Sequence, residues 1–324
     1  MSHSSSTRPS QSAAAARDRR LAEAAVFGVI VFWGFNFVAM KYLVGILPPV
    51  SMAFLRFGIP IGFLLAATRL REGSLLMPRR DLATILLLGA LGFGLYQVLW
   101  STALRSTAAG ESALIVAATP VLTALLASVA GTDTLTREKV VGIAVSMLGV
   151  VAVVAAGRTL AFDADLVGPV MTLMAAAAWA AYVAFGATLL RRHSPLKTAS
   201  WAIVGGLCVM APFGIIPLIG FDFASVPPGA WLLLLFSSIV SVAVANVVTL
   251  HGVRLLGPTR VTGYQFLTPF ITLVLAALLL SEPILPGQVV GGLVIGLGIL
   301  IARGDARRLV VRVFDGVANA SPSR

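Results

Sequence analysis

Charge is the scarcest property of this sequence. Asp, Glu, Lys and Arg together make up 11% of its 324 residues, where a soluble chain carries roughly 25%. That leaves too little polar surface to clothe a globule of this size in water, so an ordinary cytosolic enzyme is excluded. Cysteine is nearly missing as well. A single residue, Cys208, can form neither an intrachain disulfide nor a thiolate metal cluster. The three histidines, His3, His193 and His251, show no ligand spacing, so no metal site and no cofactor are expected. No phosphate-cradling Walker loop, zinc-binding His-Glu-x-x-His or paired Asp cluster for Mg²⁺ occurs, and the chain is not expected to be an enzyme.

What the sequence has in abundance is apolar surface. Apolar residues reach 58%, and 31 glycines add to them. Disorder is thereby excluded, because such a chain can bury far more than it must order. The composition points to an all-α integral membrane protein. The formal charge of +11 sits in short basic clusters between apolar runs, which reads as juxtamembrane charge and not as a nucleic-acid surface.

A span needs about 20 mostly apolar residues to cross about 30 Å of hydrocarbon. Ten such segments are expected, at 22–42, 49–68, 82–104, 107–129, 139–157, 166–190, 198–219, 229–253, 258–280 and 286–302. Strands of a membrane barrel would be about ten residues long with alternating polarity, which these runs do not show. The first segment is too long for a signal-peptide core, carries Trp33 and Asn36, and lacks a cleavage site, so it reads as a retained helix. Residues 1–21 read as a disordered cytoplasmic tail, and 304–324 as a second cytoplasmic tail. With the N-terminus inside, 20 of the 24 basic residues fall on the cytoplasmic side and three (Lys41, Arg105, Arg158) outside, while Arg56 lies within a span. That bias predicts both termini in the cytoplasm.

Shifting the chain by 149 residues superposes Thr119-Pro120 on Thr268-Pro269, Gly142 on Gly291, Gly149 on Gly298, Gln97 on Asn246 and Asp133 on Glu282. At a shift of 146, Trp33 falls on Trp179. The expected units are therefore two five-helix repeats, 22–157 and 166–303, joined by a periplasmic connector at 158–165. An odd number of spans makes the second copy enter from the opposite face. Inverted repeats of this kind suit alternating access.

Polar residues inside spans are expensive and mark either structure or function. Gly89, Phe93, Tyr96, Gln97 and Trp100 share one helix face, as do Trp33, Asn36, Phe37 and Met40. With Arg56, Trp179, Tyr182, Asn246, Tyr264 and Gln265 they form the candidate lining of a substrate cavity for amphipathic or zwitterionic solutes; interhelical packing is the alternative. Arg56 reads as a substrate contact, a structural lock or a snorkelling side chain. Glu111 is either a helix cap or a coupling group for protons, and His251 a structural residue or a proton relay. Pro120 and Pro269 are read as mid-helix kinks able to serve gating or static packing. Gly287-x-x-x-Gly291 and Gly292-x-x-x-Gly296 permit tight contact, within a monomer or across a homodimer.

Trp33-Gly34-Phe35-Asn36-Phe37, the stretch from Pro49 to Arg56-Phe57, and Ala109 through Thr119-Pro120 resemble the first half of an EamA-type member of the drug/metabolite transporter superfamily. Gly168 to Trp179-Ala180-x-Tyr182, and Pro269 followed by Ser281-Glu282, resemble its second half. The segment Ala245–His251 departs from the usual aromatic-rich form. The resemblance implies a secondary carrier of the bacterial inner membrane that exports amino acids or small amphipathic metabolites and drugs without ATP. Its partners would then be a small-molecule substrate and the lipid bilayer, with protons as a candidate coupling ion. A non-transporting scaffold or receptor, and a membrane enzyme acting on lipid-linked substrates, are the alternative functions.

Overall fold

A computed structural model describes residues 8–131, 133–156, 166–190, 192–240, 245–256, 261 and 264–304. The connector at 158–165, the first seven residues and the tail beyond 304 lie outside the described residues. In a bilayer the backbone must satisfy its own hydrogen bonds, and helices do so within one segment. Among the described residues there are thirteen α-helices: α1 (Arg8–Leu43), α2 (Pro49–Glu72), α3 (Arg79–Gly89), α4 (Tyr96–Ala103), α5 (Ala109–Val116), α6 (Thr119–Val129), α7 (Arg137–Ala155), α8 (Val167–Leu190), α9 (Pro195–Ile215), α10 (Pro228–Ile239), α11 (Ala245–Leu256), α12 (Thr268–Leu280) and α13 (Pro286–Ala302). Among the described residues, seven helical stretches are long and apolar enough to cross a membrane, and α10, α12 and α13 are shorter apolar helices. Side chains such as Phe63, Leu278 and Leu293 stand more than half exposed around the bundle, as a lipid-facing belt requires. The chain is an all-helical membrane protein.

The structure departs from the sequence expectation in three places. Helix α1 begins at Arg8, inside the segment expected to be disordered. Ala13–Ala16 and the arginines after them are strong helix formers and extend the span backwards. The third expected span is not one regular helix, because a wide π-helical turn at Ala90–Leu95 separates α3 from α4. The fourth span breaks between Val116 and Thr119, and α12 likewise starts at Thr268 after a turn. Pro120 and Pro269 therefore occupy the second position of a new helix instead of the interior of a long one. There the missing N–H is one that has no intrahelical partner anyway.

Two pairs of helices form the tightest seams. Helix α7 lies antiparallel on α13, with Gly142 against Gly298 and Gly149 against Gly291. A Cβ on Gly149 would come within 2.7 Å of the Gly291 carbonyl oxygen. Ser146 donates to the Ile295 carbonyl at 3.1 Å in the middle of this seam. The glycines of α13 are thus used inside the chain: Gly287 meets Ala156 and Gly292 meets Leu114, while Gly296 faces open space. Helix α2 packs on α9, joined by Ser51 Oγ to Gly214 O at 2.7 Å and by Thr68 Oγ1 to Ser200 Oγ at 3.0 Å. At that end Lys197 pairs with Glu72 at 3.3 Å, and His193 Nε2 lies 2.7 Å from Asp81.

Local backbone details recur 149 residues apart. The amide of Ala118 bonds the Ile115 carbonyl and that of Leu267 the Tyr264 carbonyl. Beyond the next helix, Asp133 N reaches Ala127 O at 3.2 Å and Glu282 N reaches Ala276 O at 3.2 Å. Ser281 achieves the second closure in the left-handed region, at φ 57°, a conformation that non-glycine residues adopt rarely.

Candidate functional site

An aromatic cluster fills the space between α2, the π-helical turn with α4, and α8. Phe93 is its centre, edge-on to Phe57 at 5.7 Å, to Trp179 at 5.3 Å and to Tyr182 at 5.3 Å between ring centres. Tyr96 stacks on Trp100 at 5.9 Å and lies 5.7 Å from Trp179. Phe37 of α1 closes on Trp100 at 5.4 Å. The wide turn makes this cluster possible. It carries Gly92 under the Tyr182 ring and Gly94 against Val209, two approaches that any Cβ would block. A π-helical turn also re-aims the side chains that follow it, and such turns recur at functional sites. Tyr96, Trp179 and Tyr182 each keep part of their surface accessible, whereas Trp100 and Phe57 are buried.

Two polar residues neighbour these rings in the chain, Arg56 before Phe57 and Gln97 after Tyr96. Arg56 is buried, with its guanidinium carbon 5.3 Å from the Phe57 ring centre and Tyr96 within electrostatic reach. Gln97 is 4% exposed, and its Oε1 accepts no hydrogen bond among the described residues. A buried amide oxygen left in this way costs about 1–3 kcal/mol, so its retention needs a reason. Trp100 Nε1 is satisfied by Ser112 Oγ of α5 at 3.0 Å.

The remaining residues expected at the site divide. Asn36 is buried and accepts a bond from Ser237 Oγ at 2.6 Å, which ties α1 to α10. Trp33 is half-buried on α1 and, among the described residues, outside the ring cluster. Tyr264 is not near the rings. It packs on Ala22, Val26, Leu256 and Val261 near the start of the first span. Gln265 follows it, half-buried. The side chains of Asn246 and His251 lie outside the described residues. The structure thus brings Arg56, Tyr96, Trp100, Trp179 and Tyr182 together, buries Gln97 on the helix of Tyr96 and Trp100, and leaves Trp33 and Tyr264 apart among the described residues.

Glu111 is buried in the first turn of α5, but Glu282 is the residue seen to cap that helix. Its Oε1 accepts from Ala109 N at 2.9 Å and its Oε2 from Gly110 N at 3.3 Å. Lys41 lies close to both carboxylates and donates through Nζ to Leu104 O at 2.6 Å and to Thr107 O at 3.0 Å. Sequence reasoning missed both Phe57 as a ring partner and Glu282 as a cap, since each joins residues far apart in the chain. A separate groove of about 670 Å³ lies between α1, α10 and α12. It is lined by Gly28, Phe32, Leu232, Phe236 and similar apolar residues, and it opens on the lipid-facing belt. It carries none of the polar groups of the cluster.

A polytopic helical bundle with aromatic, amide and guanidinium groups gathered inside its membrane-spanning part has the make-up of a small-molecule transporter. The chain belongs to the EamA-like transporter family, whose model matches it at residues 20–155 and again at 166–304. It is 26% identical over 288 residues to the uncharacterized transporter YyaM of Bacillus subtilis, covering 87% of this chain and 93% of that protein. It is 28% identical over 288 residues to a probable amino-acid metabolite efflux pump of Salmonella typhimurium, covering 84% and 91% of the two chains. A crystal structure with 24% sequence identity shares the fold at a TM-score of 0.58, covering 89% of this chain and 97% of the other.

Proposed function

We propose that this transporter is a secondary carrier that exports amino acids or small amphipathic metabolites by alternating access, with its substrate held at the aromatic cluster. The observation that carries this reading is a cluster of rings supplied by both family segments, with the Arg56 guanidinium beside it and, on the helix that carries Tyr96 and Trp100, a buried Gln97 Oε1 that accepts no hydrogen bond among the described residues. Rings take the apolar body of a solute, the amide oxygen takes an N–H, and the guanidinium takes an acidic group. Kinship with an amino-acid metabolite efflux pump favours the same substrate class.

The two family segments, read as inverted five-helix repeats, supply the mechanism. Backbone closures recurring 149 residues apart, and the antiparallel seam of α7 on α13, support an axis of pseudo-symmetry through Ser146 and Ile295. Exchanging the conformations of the two halves then turns a site open to one side into one open to the other. Both termini lie in the cytoplasm in this reading, in a bacterial inner membrane. Glu111 is the coupling acid in the proton-driven form of the mechanism.

Counterflow in proteoliposomes tests the proposal. Saturable exchange of an amino acid or aromatic metabolite without ATP is expected, and neutralising Glu111 to Gln should flatten its pH dependence. Unsaturable equilibration of every permeant solute would mean a pore and end the carrier reading.

A further inference from the structure

We propose that Lys41 and Glu282 form a latch that closes the cleft at one end of the bundle by gripping the turn between α4 and α5. The inference rests on the carrier reading for the cleft it closes, though its geometry stands without it. The turn is held from two sides. Lys41, at the end of α1, binds the Leu104 and Thr107 carbonyls, and Glu282, just past α12, binds the Ala109 and Gly110 amides. The last carbonyls of one helix and the first amides of the next would otherwise lack intrahelical partners. Capping usually comes from a Ser, Thr, Asp or Asn at the N-cap itself. Here the N-cap is Ala108, which makes no side-chain bond, and a carboxylate 173 residues away supplies it.

A Ser or Asp at the N-cap would stay with the turn whatever the other helices did. Caps lent by Lys41 and Glu282 are instead lost together when α1 and α12 separate from it. Gly168, at the start of α8, also packs on Ser106 and Thr107, so the turn is where α1, α8 and α12 converge. Asp133 is the counterpart of Glu282, with the same backbone closure 149 residues earlier. Among the described residues its carboxylate accepts from Thr134 N at 2.7 Å and from Lys139 Nζ, in the first turn of α7, at 2.6 Å. Among the described residues, then, the acidic group at the Glu282 end is engaged across the two family segments, and Asp133 is bonded within its own segment.

The test is thiol accessibility in the full chain, reconstituted in nanodiscs. Cys208 is replaced by Ser, a single Cys is placed at Tyr96, two turns below the latch, and an impermeant maleimide reports access. Glu282→Gln preserves shape and removes charge; Lys41→Met removes the other grip. Each is expected to raise the labelling rate about tenfold, as loss of a charge-assisted bond shifts a closed–open equilibrium. The double variant should label no faster than the sum of two independent changes would allow. Native melting temperature with an unchanged rate in Glu282→Gln, or in Lys41→Met should the first fail to fold, would overturn the latch. Labelling needs no substrate and counterflow is measured in chains that keep Tyr96, so an accelerated rate without counterflow supports the latch and counts against the carrier, and counterflow with an unchanged rate does the reverse.

Discussion

Gln97 is the residue at which packing and function part most clearly. A buried amide oxygen without a donor destabilises a fold, so replacing it with an apolar residue of similar size should leave stability unchanged or improve it. Gln97→Leu is therefore expected to match or exceed the native melting temperature while lowering counterflow about tenfold. A matching loss of stability and transport would make Gln97 a structural residue. Trp179→Ala should cost stability as well as transport, since three ring partners lose their contact. The faces carrying Tyr96, Gln97 and Trp100, and Trp179 with Tyr182, were legible in the sequence because helical neighbours recur at three and four residues. Their meeting with Arg56 was not, because it depends on how α2 and α8 pack. Glu111 illustrates the same limit. Its position at a helix start was readable, but the cap on that helix comes from Glu282 on a distant element, which no local spacing could indicate.

At the scale of elements, glycine decides which helices can touch. The α7–α13 seam brings backbones together at Gly142, Gly149, Gly291 and Gly298, and nothing larger fits. Gly149→Leu should lower stability by about 3 kcal/mol or more by forcing the helices apart. Gly296→Leu, facing open space on the same helix, should change it by less than about 1 kcal/mol. Melting curves of the two purified variants check the contrast, and equal losses would mean that α13 also uses its other face. The repeated glycines were visible in the sequence; which of them packs internally was not, since the pattern serves monomers and dimers alike. Hydropathy located the first seven expected spans, because about 20 apolar residues are a strong signal, while the last three segments hold shorter apolar helices among the described residues. It could not see the breaks inside them. The π-helical turn at Ala90–Leu95 and the restarts at Thr119 and Thr268 keep the same apolar composition as the helices around them. A proline at the start of a new helix looks, in sequence, like a proline in the middle of an old one.

For the molecule as a whole, the helices on the proposed axis are the tightly seamed ones, α2 on α9 and α7 on α13, and these suit a fixed frame. The elements around the aromatic cluster and the α4–α5 turn meet through ring contacts and through the caps lent by Lys41 and Glu282, the contacts that the latch would release. This division has a function only if the two halves thread the bilayer in opposite senses. Sidedness is therefore the most direct measurement. Single cysteines placed in the Cys208→Ser background, near the N-terminus, at 160 and near the C-terminus, can be labelled with an impermeant thiol reagent in intact cells. The account predicts that the connector at 158–165 is labelled from outside and that both ends of the chain are shielded until the membrane is opened. A connector on the same side as the two termini would contradict it.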